Sequence, residues 1–206
     1  MNITLKNLGK RFNRQWIFRG LHAELIPGKR YAVLGKNGSG KSTLLQTIAG
    51  YRLPSEGQTV FEENGKIIPG HLHYRFLSFA SPYLELIEDY NIDEFLRFHT
   101  KLKPLLNRMS HSDFTGNLEL ANISGKPIAQ YSSGMKQRLR LALAFFSDTP
   151  VLLLDEPCSN LDAQGVEWYR KLLDEYSAER LVVICSNHQE QEYFPCEIVI
   201  DMALYK

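Results

Sequence analysis

The run Gly35-Lys36-Asn37-Gly38-Ser39-Gly40-Lys41-Ser42 sets glycines, a lysine and a serine at a spacing that suits one task, the grip on a polyphosphate. Glycines let successive backbone N–H groups turn inward around phosphate oxygens. A helix opening at the end of such a loop aims its positive end at the same anion. Lys41 is then placed to reach the β- and γ-phosphates and the Ser42 hydroxyl to ligate Mg²⁺. Gly35, Asn37, Gly38, Ser39, Gly40 and Thr43 complete the expected nucleotide cradle. At ordinary glycine abundance, a chance match in a chain of this length arises about once in a hundred sequences.

A metal beside a phosphate needs a carboxylate from a second strand, and Val151-Leu152-Leu153-Leu154-Asp155-Glu156-Pro157 supplies it. Asp155 follows the apolar run directly and is expected to hold Mg²⁺ through water. Glu156 is then placed to orient or deprotonate an attacking water.

The elements that must position these groups are also readable. Tyr31–Leu34 reads as a buried strand before the loop, and 41–49 as a helix after it. Val151–Leu154 and Leu181–Cys185 are continuous apolar runs, the pattern of strands covered on both faces. Residues 162–175 have helical character and can make the crossover between them. Strands alternating with helices predict an α/β fold with a mainly parallel sheet. From Tyr83 to Gln130 no core strand stands out, and Ile92–Phe98 has an amphipathic helical pattern, so the middle reads as a helical insertion.

The 206 residues are 44% hydrophobic and 23% charged, enough apolar material for one ordinary core. A net charge of +1 gives no global attraction to nucleic acid or to anionic lipid. Cys158, Cys185 and Cys196 show no CxxC spacing, which favours a reducing compartment over a disulfide scaffold or zinc site. Cys185, inside an apolar run, reads as a small buried hydrophobe. The N-terminus alternates polar and apolar residues, unlike a signal peptide, and no run approaches the ~20 apolar residues of a membrane span. A soluble intracellular protein is expected.

Further residues resemble the nucleotide-binding subunits of ABC transporters. Tyr131-Ser132-Ser133-Gly134-Met135-Lys136-Gln137-Arg138 resembles the LSGGQ signature and its downstream Q-R pair, and opens a helical run through Phe146. Tyr131, Ser133 and Met135 replace Leu, the first Gly and Gln; Ser132 and Gly134 keep the hydroxyl and the N–H that face phosphate. Ser159-Asn160-Leu161-Asp162 is similar to the D-loop, and His188, after Ser186-Asn187, to the switch histidine. Phe12 resembles the aromatic that stacks on adenine, with Trp16 as a competing choice.

The resemblance covers Asn2 to Asp201. It implies a P-loop NTPase core of mainly parallel strands, an N-terminal antiparallel β region and an inserted helical subdomain. Residues 1–206 would form a single domain, with a RecA-like core at 1–82 and 148–206 and the helical subdomain at 83–147. It further implies an ATPase whose two copies meet head to tail around two ATP molecules. Lys41, Ser42 and Asp155 of one copy and Ser132 and Gly134 of the other would contact each ATP. Glu156 would align water, while Lys41 and His188 stabilise the γ-phosphate. The implied partners are a second such subunit and a transmembrane permease reached through residues 82–88, on the cytoplasmic face of the membrane. One departure stands out: Ala80-Ser81-Pro82-Tyr83-Leu84-Glu85 lacks the family's glutamine. Pro82 lies nearest its place and can neither donate nor ligate, leaving Ser81 as a partial substitute. The chain ends soon after His188, leaving no room for an appended regulatory domain. Soluble ABC-type ATPases usually carry two nucleotide domains or a long coiled coil, and a P-loop kinase needs an acceptor pocket; the sequence shows none of these. Cargo would be set by the partner's membrane helices, and import versus export stays open.

Overall fold

The computed structural model describes residues 1–121 and 123–206, whose strands form two sheets. The first is antiparallel. β1 (Asn2–Phe12) and β2 (Gln15–Leu25) make a long hairpin, β4 (Glu56–Glu63) and β5 (Lys66–Ile68) a shorter one, in the order β2-β1-β4-β5. Ile3, Leu5, Phe18, Leu21 and Phe61 are fully buried on its inner face. That side is covered and the other is wet, as antiparallel sheets allow.

The second sheet is parallel throughout. It consists of β6 (Leu77–Ala80), β7 (Val151–Asp155), β8 (Leu181–Ser186), β3 (Arg30–Leu34) and β9 (Ile198–Asp201), in that spatial order. Its strands feed two cores. Leu152, Leu154, Val182 and Ile184 point to one side, against α4 (Ser133–Phe146) and α5 (Ala163–Tyr176). Val33, Val151, Leu153, Val183 and Cys185 point to the other, against α1 (Lys41–Ile48) and the antiparallel sheet. Burial on both faces explains why these strands read as unbroken apolar runs.

Helix starts are set by local chemistry. The Asn91 side chain accepts from Glu94 N at 3.0 Å and Glu94 accepts from Asn91 N at 2.9 Å, opening α2 (Ile92–Leu102) with a capping box. Ser110 caps α3 (His111–Asn117), Ser132 caps α4, and Asp162 caps α5 by accepting from Gly165 N at 2.7 Å. The apolar faces of α2 and α3 do not form a core of their own. Leu96 and Phe114 belong to the cluster that contains Leu152 and Ile184.

Arg180, just before β8, is buried, and its guanidinium donates to Phe145 O at 2.9 Å and to Ser78 and Thr149 hydroxyls at 2.7 Å. Burial pulls its pKa down to about 10. Held by so many acceptors, the charge ties the end of α4 to β6 and to the segment leading into β7.

Phe146 lies edge-on to Phe114 and Tyr176, with centroids 5.4 and 5.0 Å away, at the junction of the helical segment and the sheet. Phe146→Ala is expected to remove about 3–5 kcal/mol of unfolding free energy in a denaturant titration. A loss below about 1 kcal/mol would show that helices and sheet do not share one packed interior.

Candidate nucleotide site

β3 ends at Leu34 and delivers the chain into the glycine loop. Gly40 has φ +101°, and a Cβ there would lie 2.7 Å from the Ile17 side chain, so both conformation and space demand glycine. As the cap of α1 it offers no side-chain acceptor, and the first turn carries no acid. α2 to α5 each begin under a capping side chain. The free N–H groups and positive end of α1 are therefore open to an anion. Ser39 Oγ is buried with no hydrogen-bond partner, a second mark of a place built for an added acceptor.

Lys41, itself buried, donates to Gly35 O at 2.7 Å and Lys36 O at 3.2 Å, so its ammonium lies along the loop's own carbonyls. Asn37, Gly38, Gly40, Lys41, Ser42 and Thr43 line a cavity of about 430 Å³. Glu156 closes one side, and Ile17 and Tyr83, two residues the sequence motifs do not announce, complete it.

Asp155, at the end of β7, is fully buried. Its Oδ1 accepts from Ser42 Oγ at 3.1 Å and its Oδ2 from Ser81 Oγ at 3.3 Å. Burial raises its pKa, while the Ser42 and Ser81 hydrogen bonds and the Lys41 charge pull it back. A hydroxyl facing a carboxylate is the hard-oxygen donor set Mg²⁺ prefers, completed by phosphate oxygens and water. Among the described residues, no group of three or more His, Cys, Asp and Glu side chains gathers to hold a metal.

Glu156 adopts φ +44°, uncommon for a residue with a side chain, and its N–H donates to Cys185 O at 2.9 Å. This turn off the strand puts the carboxylate on the cavity wall. The turn beyond it is pinned from two sides. Gln137 of α4 donates to Pro157 O at 3.0 Å, and buried Glu192 of α6 (Glu190–Tyr193) accepts from Cys158 N at 3.1 Å. Gln137 belongs to the motif read from the sequence, whereas Glu192 does not stand out there, because only burial and partner distinguish it from an ordinary helix-surface residue.

Phe12, Trp16 and His188 do not line the cavity. Phe12 is exposed at the end of β1, with Lys10 and Arg52 each 5.3 Å from its ring centre. The Trp16 ring is flanked by the guanidiniums of Arg19 at 4.6 Å and Arg11 at 5.6 Å. His188, with φ +57°, is exposed on the loop after β8. That loop is turned by a Gln189 N–H bond to Ser186 Oγ at 3.1 Å.

Ser132 and Gly134 stand elsewhere on the surface. Exposed Ser132 accepts from Met135 N at 3.2 Å as it caps α4. With Asn160, Leu161 and Asp162 these two residues border a separate cavity of about 410 Å³, which shares no lining residue with the phosphate cavity. A Cβ on Gly134 would fall 2.9 Å from Asn160 O, so glycine lets the helix start and the loop after β7 lie in contact.

The ABC transporter family model matches residues 18–159. The chain belongs to this family. Within it, the protein is an ATP-binding subunit that hydrolyses ATP to drive transport. It is 28% identical over 196 residues to the lantibiotic transport ATP-binding protein SrtF of Streptococcus pyogenes, covering 90% of this chain and 80% of the relative. It is 31% identical over 201 residues to the sulfate/thiosulfate import ATP-binding protein CysA of Pseudomonas putida, covering 93% of this chain and 60% of that one. The dimeric ATP-binding cassette solved in a post-hydrolysis state with ADP and Pi aligns with a TM-score of 0.77 at 21% identity. That alignment covers 97% of this chain and 93% of the other, and confirms the ABC ATPase fold. Among the described residues, no helix is long and apolar enough to cross a membrane.

Beside this ABC site, burial pushes Glu192 from its ordinary 4.5 up to about 7, with the Ser186 and Cys158 hydrogen bonds opposing the shift. The folded protein therefore holds this proton more tightly than the unfolded chain. The stability so gained is complete below pH 4.5 and is lost as pH climbs through about 7. Glu192→Gln keeps an acceptor for the Cys158 N–H and cannot ionise. Its unfolding midpoint should fall less than that of the parent between about pH 5 and pH 8. Equal falls would show that Glu192 is not the group responsible.

Proposed function

We propose that the two separate cavities are the halves of one composite catalytic site, completed by a second copy of this chain arranged head to tail. The observation that carries this reading is the position of Ser132 and Gly134: the first exposed and the second half-buried, at a helix start, and on a different cavity from the phosphate loop. One copy would bind ATP with Gly35, Asn37, Gly38, Ser39, Gly40, Lys41, Ser42 and Thr43, and with Phe12 against the base. The other would present Ser132 and Gly134 to the γ-phosphate. Charge on the triphosphate then joins the two copies, and its loss on hydrolysis releases them.

Ser42 and Asp155 would hold Mg²⁺, which neutralises phosphate charge when bound. Glu156 would take the proton of the attacking water or align it, Lys41 would hold the phosphates, and His188 would swing in to meet the γ-phosphate on closure. Residues 1–82 and 148–206 are the catalytic core in this reading, and residues 83–147 the helical subdomain.

The membrane-spanning subunit would dock beside the loop that follows β6. A cavity of about 210 Å³ opens there between β6, α2 and α4, with Phe79, Leu84, Leu86 and Phe95 on its walls and Tyr51 and Leu102 exposed at its rim. Such a partly open recess, with apolar walls and the ionisable side chains Glu85, His99, Lys103 and Arg140 in its lining, suits a short amphipathic segment of a transmembrane permease. The subunit would thus work peripherally at the cytoplasmic face.

Glu156→Gln should bind ATP, lower phosphate release by at least about a hundredfold and accumulate an ATP-bound dimer in size-exclusion chromatography. Parent-like phosphate release would remove Glu156 from its role. Phe12→Ala should weaken ATP binding about tenfold with little change in maximal rate. An unchanged dissociation constant would move the adenine platform to another aromatic.

A further inference from the structure

Among the described residues, Tyr83 alone lines both the phosphate cavity and the groove of about 450 Å³ next to it, whose walls include Leu84, Leu86, Glu88 and Arg140. It is 75% exposed, so its ring is not held as part of the core. The backbone beneath it is fixed. Leu84 N donates to Ser81 O at 3.0 Å, Tyr83 N donates to Ser81 Oγ at 3.4 Å, and that same hydroxyl donates to Asp155. Pro82 stiffens the turn between them.

The far side of the loop is tied to α4, the helix that Ser132 caps. Arg140 Nε donates to Leu84 O at 2.7 Å, and Lys136 Nζ pairs with Glu88 at 2.6 Å. The segment from Ser81 to Glu88 therefore spans from the carboxylate facing Ser42 to the helix bearing the other half-site.

We propose that Tyr83 is a substrate-binding residue that distinguishes ATP from ADP: its phenol O–H donates a hydrogen bond to the terminal phosphate. The ring is placed on the cavity wall with Ser42 and Glu156, and a phenol is a neutral donor that a proline-bearing loop otherwise lacks there. A hydrogen bond to the charged γ-phosphate is stronger than one between neutral groups, and ADP offers no atom at that place. The Arg140 and Lys136 ties join this loop to α4. The proposal rests on the cavity being the ATP site.

The test is calorimetric titration of the full chain with ATP and with ADP, in Mg²⁺, on the Glu156→Gln background to suppress turnover. Tyr83→Phe keeps the ring and removes only the hydroxyl. It should weaken ATP binding about tenfold and leave ADP within about twofold of the parent. Hydrogen exchange of residues 81–88 should slow on adding ATP to the parent and not to Tyr83→Phe. Equal changes for ATP and ADP, or no change for either, overturn the proposal. Failure of the Glu156→Gln parent itself to bind ATP overturns the reading of the cavity, and the proposal with it.

Discussion

Asp155 has no exposed surface, yet the site requires a carboxylate there that can carry charge. Removing such a group from water costs several kcal/mol unless hydrogen bonds and opposite charge answer it. Ser42 bonds one oxygen and Ser81 the other, and the Lys41 charge favours the ionised form. Meeting that need brings the end of β7, the start of α1 and the exit of β6 to a single point. Strand order does the rest: β6 lies beside β7, and α1 packs on β8 and β7. The parallel sheet can be understood as the frame that delivers two serines to one buried acid.

Polar groups inside the protein repeat this pattern of tying one element to another. Gln137 and Glu192 reach the turn after Glu156 from α4 and α6, and Arg180 fastens the end of α4 to β6 and to the segment leading into β7. Each is buried, and each contacts backbone or hydroxyl partners. Such ties resist sliding better than apolar packing, because a broken one leaves a desolvated polar group behind. The turn that follows Glu156 is therefore braced from the helix that Ser132 caps.

Much of this was legible in the sequence, for reasons that differ by element. β3, β7 and β8 announce themselves because both faces are covered, and α5 begins where Asp162 can cap it. The glycine loop is readable because phosphate binding by backbone is a local affair of neighbouring residues. What depends on distant strands meeting was not readable: the order β6-β7-β8-β3-β9, the Ile17 wall against Gly40, and Ser81 under Asp155. In the sequence Ser81 reads as a partial stand-in for a missing glutamine; the structure adds its hydrogen bond to Asp155. Phe12 and His188 follow from the family resemblance of their positions, and both stand outside the cavity of the single chain.

The ammonium of Lys41, folded onto Gly35 and Lys36 carbonyls, has a consequence for the cycle as a whole. An arriving phosphate gains no idle cation; it must outbid two acceptors already in place, so the grip is an exchange of partners and is weaker for it. In this position the charge is answered by the loop's own oxygens, so the cradle holds its lysine without a stranded charge.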